Sequence, residues 1–158
     1  MDAGYPLKRI AVYMRVSTVE QKRRETIITQ RAAAEKYIAA NDLAVYGYYA
    51  DDGVSGTLAL EQRPDGARLL RDARDGKFSA VLIYKLNRLG RNTRHIQNAI
   101  YALEEMGVRV ISINEHFDTR TAMGRAMVGF LGTLGELERD MTVEHSTEAT
   151  NRLARDGV

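Results

Sequence analysis

The sequence predicts an α/β fold: a mainly parallel central sheet with flanking helices and a long C-terminal interface helix. Three observations carry this expectation. Strand-like and helix-like patterns alternate through four rounds, which favours parallel strands joined by helical crossovers. Ala80-Val81-Leu82-Ile83 is a continuous apolar run, typical of a central strand covered on both faces. Met123, Met127, Phe130, Leu134, Leu137 and Met141 are spaced 4, 3, 4, 3, 4, a heptad-like stripe on one helix face.

Taken in order, Arg9 to Thr18 opens the chain's regular structure. Ile10, Val12, Tyr13 and Val16 favour a strand, and alternation puts Arg15 and Ser17 on the same side as the strand leaves the sheet. Val19 to Glu25 is charged and reads as a mobile loop. Thr26 to Ala40 has helical composition, with Ile28, Ala32 and Ile38 among its apolar positions. Leu43 to Tyr49 is a second strand, and Asp51 to Arg63 a loop with turn chemistry. Pro64 suits the first turn of a helix that ends near Asp75, with Gly76 as its stop.

The third strand, Ser79 to Tyr84, runs into a charged loop from Lys85 to Arg91. Asn92 or Thr93 caps the next helix, whose Ile96, Ile100 and Leu103 trace one face up to Gly107. Val108 to Ile113 is the fourth strand and Asn114 to Thr121 a polar loop. From about Ala122 to beyond Asn151 a single helix is expected, too long for a domain of this size to cover. Its exposed stripe then needs a second subunit. The alternative is two shorter helices with the stripe buried internally. Gly124, Gly129, Gly132 and Gly135 each weaken a helix by about 0.5–1 kcal/mol relative to alanine, and close approach of another helix explains them.

With 158 residues, 44% hydrophobic and 28% charged, the chain suits one well-buried soluble domain. No apolar run reaches the roughly 18–20 residues of a membrane span, no secretory signal is evident, and there are no cysteines. A cytoplasmic protein is therefore expected. A net charge of +2 is too mild to imply a nucleic-acid partner by itself, so the placement of the basic residues has to carry that argument.

On this fold the polar loops all follow strands and meet at one edge of the sheet. They supply Arg15, Ser17 and Gln21 from the first, Asp51, Asp52, Ser55 and Arg63 from the second, and Lys85, Asn87, Arg88 and Arg91 from the third. Serine and threonine are also ordinary turn residues, so Ser17 alone says little. Several guanidiniums around one hydroxyl, however, suit a phosphodiester, whose oxygens accept bidentate arginine bonds. Permanently charged arginines also stabilise a phosphoryl transition state without a metal. His95, His116 and His145 lie outside these loops, so a Ser-His-Asp hydrolase is not expected. No phosphate-cradling glycine motif is present. Asp51-Asp52 could in principle bind magnesium, but the first strand supplies no third carboxylate, so a metal site is not expected.

These motifs together resemble the catalytic domain of the serine recombinases, the resolvase/invertase family, which includes the large serine integrases. Tyr13-Met14-Arg15-Val16-Ser17-Thr18 with Gln21 resembles the nucleophile motif, and Asp52-Gly53-Val54-Ser55-Gly56 the second-strand motif. Tyr84 to Arg91 resembles the arginine motif; Asp118-Thr119, Ala122-Met123-Gly124 and Glu136 to Asp140 resemble the interface helix and its approach. The match spans roughly residues 8–148, and the Glu20–Gln30 and Ser112–Glu115 stretches lean toward the integrase type.

The resemblance implies that Ser17 attacks a DNA phosphate, giving a 5′-phosphoserine link and a free 3′ hydroxyl. Arg15, Arg88 and Arg91 would hold the phosphate, while Gln21, Gln30, Asp52, Arg63 and Lys85 organise the site. Glu138 and Arg139, with Met123, Met127, Phe130 and Leu134, would face DNA or a partner subunit. Partners would be double-stranded recombination sites and a homodimer that becomes a tetramer in the synaptic complex, with no cofactor and no membrane involved. Two departures stand out. Asn87 replaces the family's usual aspartate, and Glu144-His145-Ser146 replaces the more usual Glu-Arg-Thr. Neutral Asn87 cannot act as a general acid, which raises the alternative of an impaired or silent dimerising domain. Residues 1–121 are expected to form the catalytic core and 122–158 the interface helix. A separate DNA-binding region would begin where the chain stops.

Overall fold

The computed structural model describes residues 9–21 and 26–155; the side chains of residues 20, 21 and 142–155 are left undescribed. Among the described residues five strands form one sheet: β1 (Ile10–Val16), β2 (Val45–Asp52), β3 (Ala80–Ile83), β4 (Arg109–Ser112) and β5 (Phe117–Asp118). Their order is β2-β1-β3-β4-β5; the first four are parallel and β5 is antiparallel to β4. The helices are α1 (Thr18–Gln21), α2 (Ile27–Ala40), α3 (Pro64–Arg74), α4 (Thr93–Glu105) and α5 (Ala122–Arg155).

The sheet is covered on both faces, as its apolar strands require. On one face Ile10, Val12, Met14, Leu82 and Ile111 pack with Ala34 and the half-buried Tyr37 and Ile38 of α2. On the other, Ala11, Tyr13, Val81 and Ile83 pack against Leu69 of α3 and Ile100 of α4. Val128 and Leu131 bring the start of α5 into this second core. Alternation along β1 thus feeds both layers from one strand.

Local signals set the helix ends. The Thr26 hydroxyl accepts from Thr29 N at 3.2 Å at the start of α2, and the Asn92 side chain accepts from His95 N at 2.8 Å at the start of α4. Gly76 and Gly107 adopt φ of 71° and 76° just beyond α3 and α4, conformations that a side chain would strain.

Four expectations change. β2 runs on to Asp52 because Arg15 and Val16 of β1 pair with Asp51 and Asp52, so both aspartates belong to a strand end, not a loop. The loop expected from Asn114 to Thr121 contains β5, too short to show a periodic pattern. Part of the loop expected from Val19 is helical, since α1 spans Thr18–Gln21. In α2 the inward face is Gln30 and Ala34, while Ile28 is 80% exposed and Ala32 is also exposed. A buried glutamine hides the helix's true face from any hydrophobicity pattern.

The C-terminal segment is one helix, not two. Its stripe points outward: Met123 is 77% exposed, Phe130 61%, Leu137 53% and Met141 48%, with Met127 and Leu134 half-buried along its edge. The glycines have separate reasons. A Cβ on Gly132 would collide with the Gln97 amide of α4, and one on Gly124 with the Asp118 carbonyl. At Gly129 it would meet nothing.

Candidate active site

The chain passes from β1 outward to β2 and then crosses back to β3, so the sheet has a topological switch point between β1 and β3. Ligands of open α/β sheets bind in the crevice outside the carboxyl ends of such strands. β1 delivers Arg15 and Ser17 to this crevice, and the segment after β3 delivers Asn87, Arg88 and Arg91. A cleft of about 510 Å³ opens there, lined among others by Arg15, Ser17, Ser55, Gly56, Asn87 and Arg91. Gly56 is needed for its shape. A Cβ there would come within 2.9 Å of Arg15 Nη2 and 3.2 Å of Arg91 Cβ, and the Gly56 carbonyl also accepts from Arg91 N at 2.9 Å.

Gln30 holds the end of β1. Its Oε1 accepts from Arg15 N at 3.2 Å and its Nε2 donates to Arg15 O at 2.9 Å. The amide thereby acts as a strand partner beyond Val12, where the registered pairing of β1 with β3 ends. Burying this side chain is tolerable because both polar ends are satisfied.

The arginines divide into a layer that faces the cleft and a layer that supports it. Arg15, buried along its length, donates from Nε to Arg88 O (3.2 Å), from Nη1 to Val54 O (2.9 Å) and from Nη2 to Asn87 O (2.9 Å). Arg88 lies buried behind the cleft wall, giving Nη1 to Arg15 O at 2.6 Å and Nε to Asn87 Oδ1 at 2.8 Å. Arg63 is 0% exposed and sits deeper still. It donates to Leu58 O (3.1 Å), Tyr13 Oη (3.1 Å), Arg88 O (2.7 Å) and Leu89 O (2.7 Å). Main-chain carbonyls offset much of the charge that would otherwise make three buried cations repel.

Asp51 extends this framework. It accepts from the Tyr13 hydroxyl at 2.8 Å and from Asp65 N and Gly66 N, at 2.8 and 2.9 Å, in the first turn of α3. A carboxylate there suits the helix dipole. Burial pushes the Tyr13 hydroxyl well above the usual tyrosine range despite the opposing pull of Arg63. Burial also pushes Asp65 up, but bonds from Arg68 and Ala50 N outweigh it and hold that carboxyl below its ordinary value. Among the described residues no cluster of three or more His, Cys, Asp or Glu is arranged to hold a metal ion.

Of the residues named from sequence, Arg15, Ser17 and Arg91 line one cleft, with Gln30, Arg63 and Arg88 bonded behind it. Asp52 is exposed at the end of β2 and is not among the cleft-lining residues. Lys85 is half-buried, its Nζ 5.4 Å from the centre of the Tyr84 ring, and is not among them either. The Gln21 side chain lies outside the described residues. Glu138 accepts from the Thr93 hydroxyl at 2.9 Å, and Arg139 lines a separate groove between α4 and α5 with Arg94 and Gln97. Sequence reasoning placed Gly56 in a motif without giving it a role, and missed the carbonyls of Val54, Asn87 and Leu89 and the Tyr13–Asp51 bond. The signals that could have found them are the motif glycine itself and Tyr13, a polar residue within the first strand pattern.

A five-stranded, mostly parallel α/β domain with a serine and arginines at its switch point, extended by a long exposed helix, has the architecture of a serine recombinase catalytic domain. The chain belongs to the resolvase family: the model of the resolvase N-terminal domain matches residues 10–158. It is 32% identical over 145 residues to a DNA-invertase of Escherichia phage P1, covering 92% of this chain and 70% of that protein. It is 38% identical over 90 residues to the transposon Tn917 resolvase of Enterococcus faecalis, covering 57% of this chain but only 48% of that protein. The N-terminal catalytic domain of TP901-1 integrase superposes with a TM-score of 0.75 at 34% identity, over 85% of this chain and 98% of that one. A resolvase family site-specific recombinase from Streptococcus pneumoniae gives 0.77 at 26% identity, over 93% and 98%.

Proposed function

We propose that the chain is the catalytic domain of a site-specific DNA recombinase with Ser17 as nucleophile. Ser17 Oγ gives its proton to water and attacks a backbone phosphorus; the Ser17 O–P bond forms, the P–O3′ bond breaks, and a 3′ hydroxyl leaves. Reversal on a new partner strand rejoins the DNA without loss of phosphoester energy. The observation that carries this reading is the shared cleft of Ser17, Arg15 and Arg91, where a phosphate oxygen can meet permanent cations beside a hydroxyl.

Supporting residues act behind that contact. Gln30 fixes the backbone of Arg15, and Arg63 and Arg88 fix the loops whose carbonyls orient its guanidinium. Asn87 lines the cleft with its Oδ1 held by Arg88 Nε at 2.8 Å, so its amide N–H groups are the part left to meet substrate. An amide donates a hydrogen bond but gives up no proton at neutral pH. The leaving 3′ oxygen therefore takes its proton from water or another group. The exposed stripe on α5 supports pairing with a second copy, since an apolar face of this length is costly in water. No described helix is long and apolar enough to cross a membrane. The proposed setting is the cytoplasm, with two such dimers meeting on double-stranded DNA.

The test is to incubate the protein with DNA carrying its recombination sites, trap intermediates, and assay for a covalent protein–5′-phosphate adduct. The adduct is expected in the parent protein, absent in Ser17→Ala, and resistant to chelator. No adduct in the parent, or an adduct that survives in Ser17→Ala, refutes the nucleophile assignment. Loss with chelator refutes the metal-free mechanism.

A further inference from the structure

The turn between β4 and β5 lies against the segment that carries the arginines. Ile113 N donates to Ile83 O at 3.0 Å and Asn114 N to Tyr84 O at 2.9 Å, which fastens this turn to β3 as far as the residue before Lys85. The turn then kinks: His116 N reaches back to Ile113 O at 3.3 Å, and His116 itself has φ of 52°, a left-handed conformation uncommon for a non-glycine residue. The kink brings the Glu115 carboxylate onto the backbone N–H of Leu86, 3.2 Å from Oε1 and 3.4 Å from Oε2. The buried Ser112 hydroxyl holds Oε1 from the other side.

Leu86 N–H opens the one-turn 3-10 segment Leu86–Arg88, and no side-chain cap comes from the preceding Lys85. Glu115 takes that place from 29 residues away in sequence. The next three carbonyls, of Asn87, Arg88 and Leu89, accept from Arg15 Nη2, from Arg15 Nε with Arg63 Nη1, and from Arg63 Nη2. A continuous set of contacts therefore runs from Ser112 through Glu115 and the Leu86 turn to the guanidinium of Arg15 in the cleft.

We propose that Glu115 is a positioning residue: it caps the Leu86–Arg88 turn and so sets Arg15 and Arg88 for catalysis without touching substrate. The proposal rests on the recombinase reading for its chemical consequence, but not for its structural one. Oε1 accepts from both the Leu86 amide and the Ser112 hydroxyl, and Oε2 adds a second, longer contact to the same amide. A glutamine keeps one acceptor but turns donor hydrogens toward the amide, so it replaces the carboxylate only in part.

The experiment compares the parent protein with Glu115→Ala, Glu115→Gln and Ser112→Ala in two measurements. The first is amide hydrogen exchange of the free protein. Glu115→Ala is expected to raise exchange at Leu86 by about tenfold while Val81, Leu82 and Ile83 of β3 keep their protection. The second is the rate of Ser17 adduct formation at saturating DNA. A drop of about tenfold to a hundredfold in Glu115→Ala is expected, with DNA affinity held within about twofold. Glu115→Gln should recover part of the rate, and Ser112→Ala should lower it less than Glu115→Ala does. Unchanged exchange at Leu86 overturns the proposal, as does protection lost equally across β3, which marks general loosening. An unchanged adduct rate overturns the catalytic part. If the parent forms no adduct at all, the recombinase reading fails, while exchange at Leu86 still decides whether Glu115 caps the turn.

Discussion

Arg15 and Arg88 hold each other by a reciprocal pair of side-chain-to-backbone bonds across 73 residues of sequence. Arg15 Nε donates to the Arg88 carbonyl at 3.2 Å, and Arg88 Nη1 donates to the Arg15 carbonyl at 2.6 Å. One residue lines the cleft and the other braces its backbone. Arg88→Ala should therefore cost about 1.5–3 kcal/mol of stability and lower adduct formation by about a hundredfold or more. Arg88→Lys should recover little of either, because one ammonium on a flexible stem does not reproduce a fork spanning Arg15 O and Asn87 Oδ1. Urea unfolding and adduct trapping check the two effects separately.

The neighbouring aspartates of β2 should behave oppositely. Asp51→Ala removes acceptors for the Tyr13 hydroxyl and two α3 backbone amides, a loss of about 2–4 kcal/mol. Asp52→Ala, at an exposed position, should change stability by less than about 0.5 kcal/mol. Equal effects on urea midpoints would contradict the assignment of Asp51 to the framework.

Tyr13 should leave a signature at alkaline pH. Its folded hydroxyl titrates above the unfolded value of about 10, so above that pH the unfolded chain holds fewer protons than the folded one. Its contribution to stability is full below about pH 10 and is lost as pH rises through the folded value, by up to about 1.4 kcal/mol per pH unit. Tyr13→Phe should remove that component and cost about 1–2 kcal/mol at neutral pH through the lost bonds to Asp51 and Arg63. Denaturant unfolding from pH 8 to about 11 measures both.

Two glycines of α5 should respond in opposite directions. Gly129→Ala adds a Cβ into open space and should stabilise the helix by about 0.5–1 kcal/mol. Gly124→Ala drives a Cβ into the Asp118 carbonyl, a backbone atom that cannot simply swing aside, and should destabilise by about 1–3 kcal/mol. Thermal unfolding of the two variants side by side is sufficient.

Phe130→Glu places a charge in the middle of the exposed stripe. Its self-association, followed by analytical ultracentrifugation, should weaken by about tenfold or more, because charges are depleted from apolar interface centres. Far-ultraviolet circular dichroism should not change, since the side chain is already 61% exposed in the single chain.

The sequence was most informative where periodicity or spacing carries the signal. Ala80–Ile83 announces a central strand, Asn92 a helix cap, and the six-residue stripe a helix with an outward apolar face. It was least informative where a polar group is buried. Gln30 turns α2 inward against its hydrophobic pattern, and β5 is only two residues long. The motifs around Ser17 and Arg88 pointed to the crevice, but they did not rank the arginines by depth.

By itself the sequence determined the alternating α/β order, the apolar stripe of the C-terminal segment, and the delivery of Ser17 and arginines to one sheet edge. These follow from local propensity and from where strands end. Only the tertiary structure decided that Arg15 and Arg91 face the cleft while Arg63 and Arg88 lie behind it. The physical reason is that most of their partners are main-chain carbonyls, those of Arg15, Val54, Leu58, Asn87, Arg88 and Leu89. Every residue carries such a carbonyl, so no sequence pattern marks the ones that folding brings within reach.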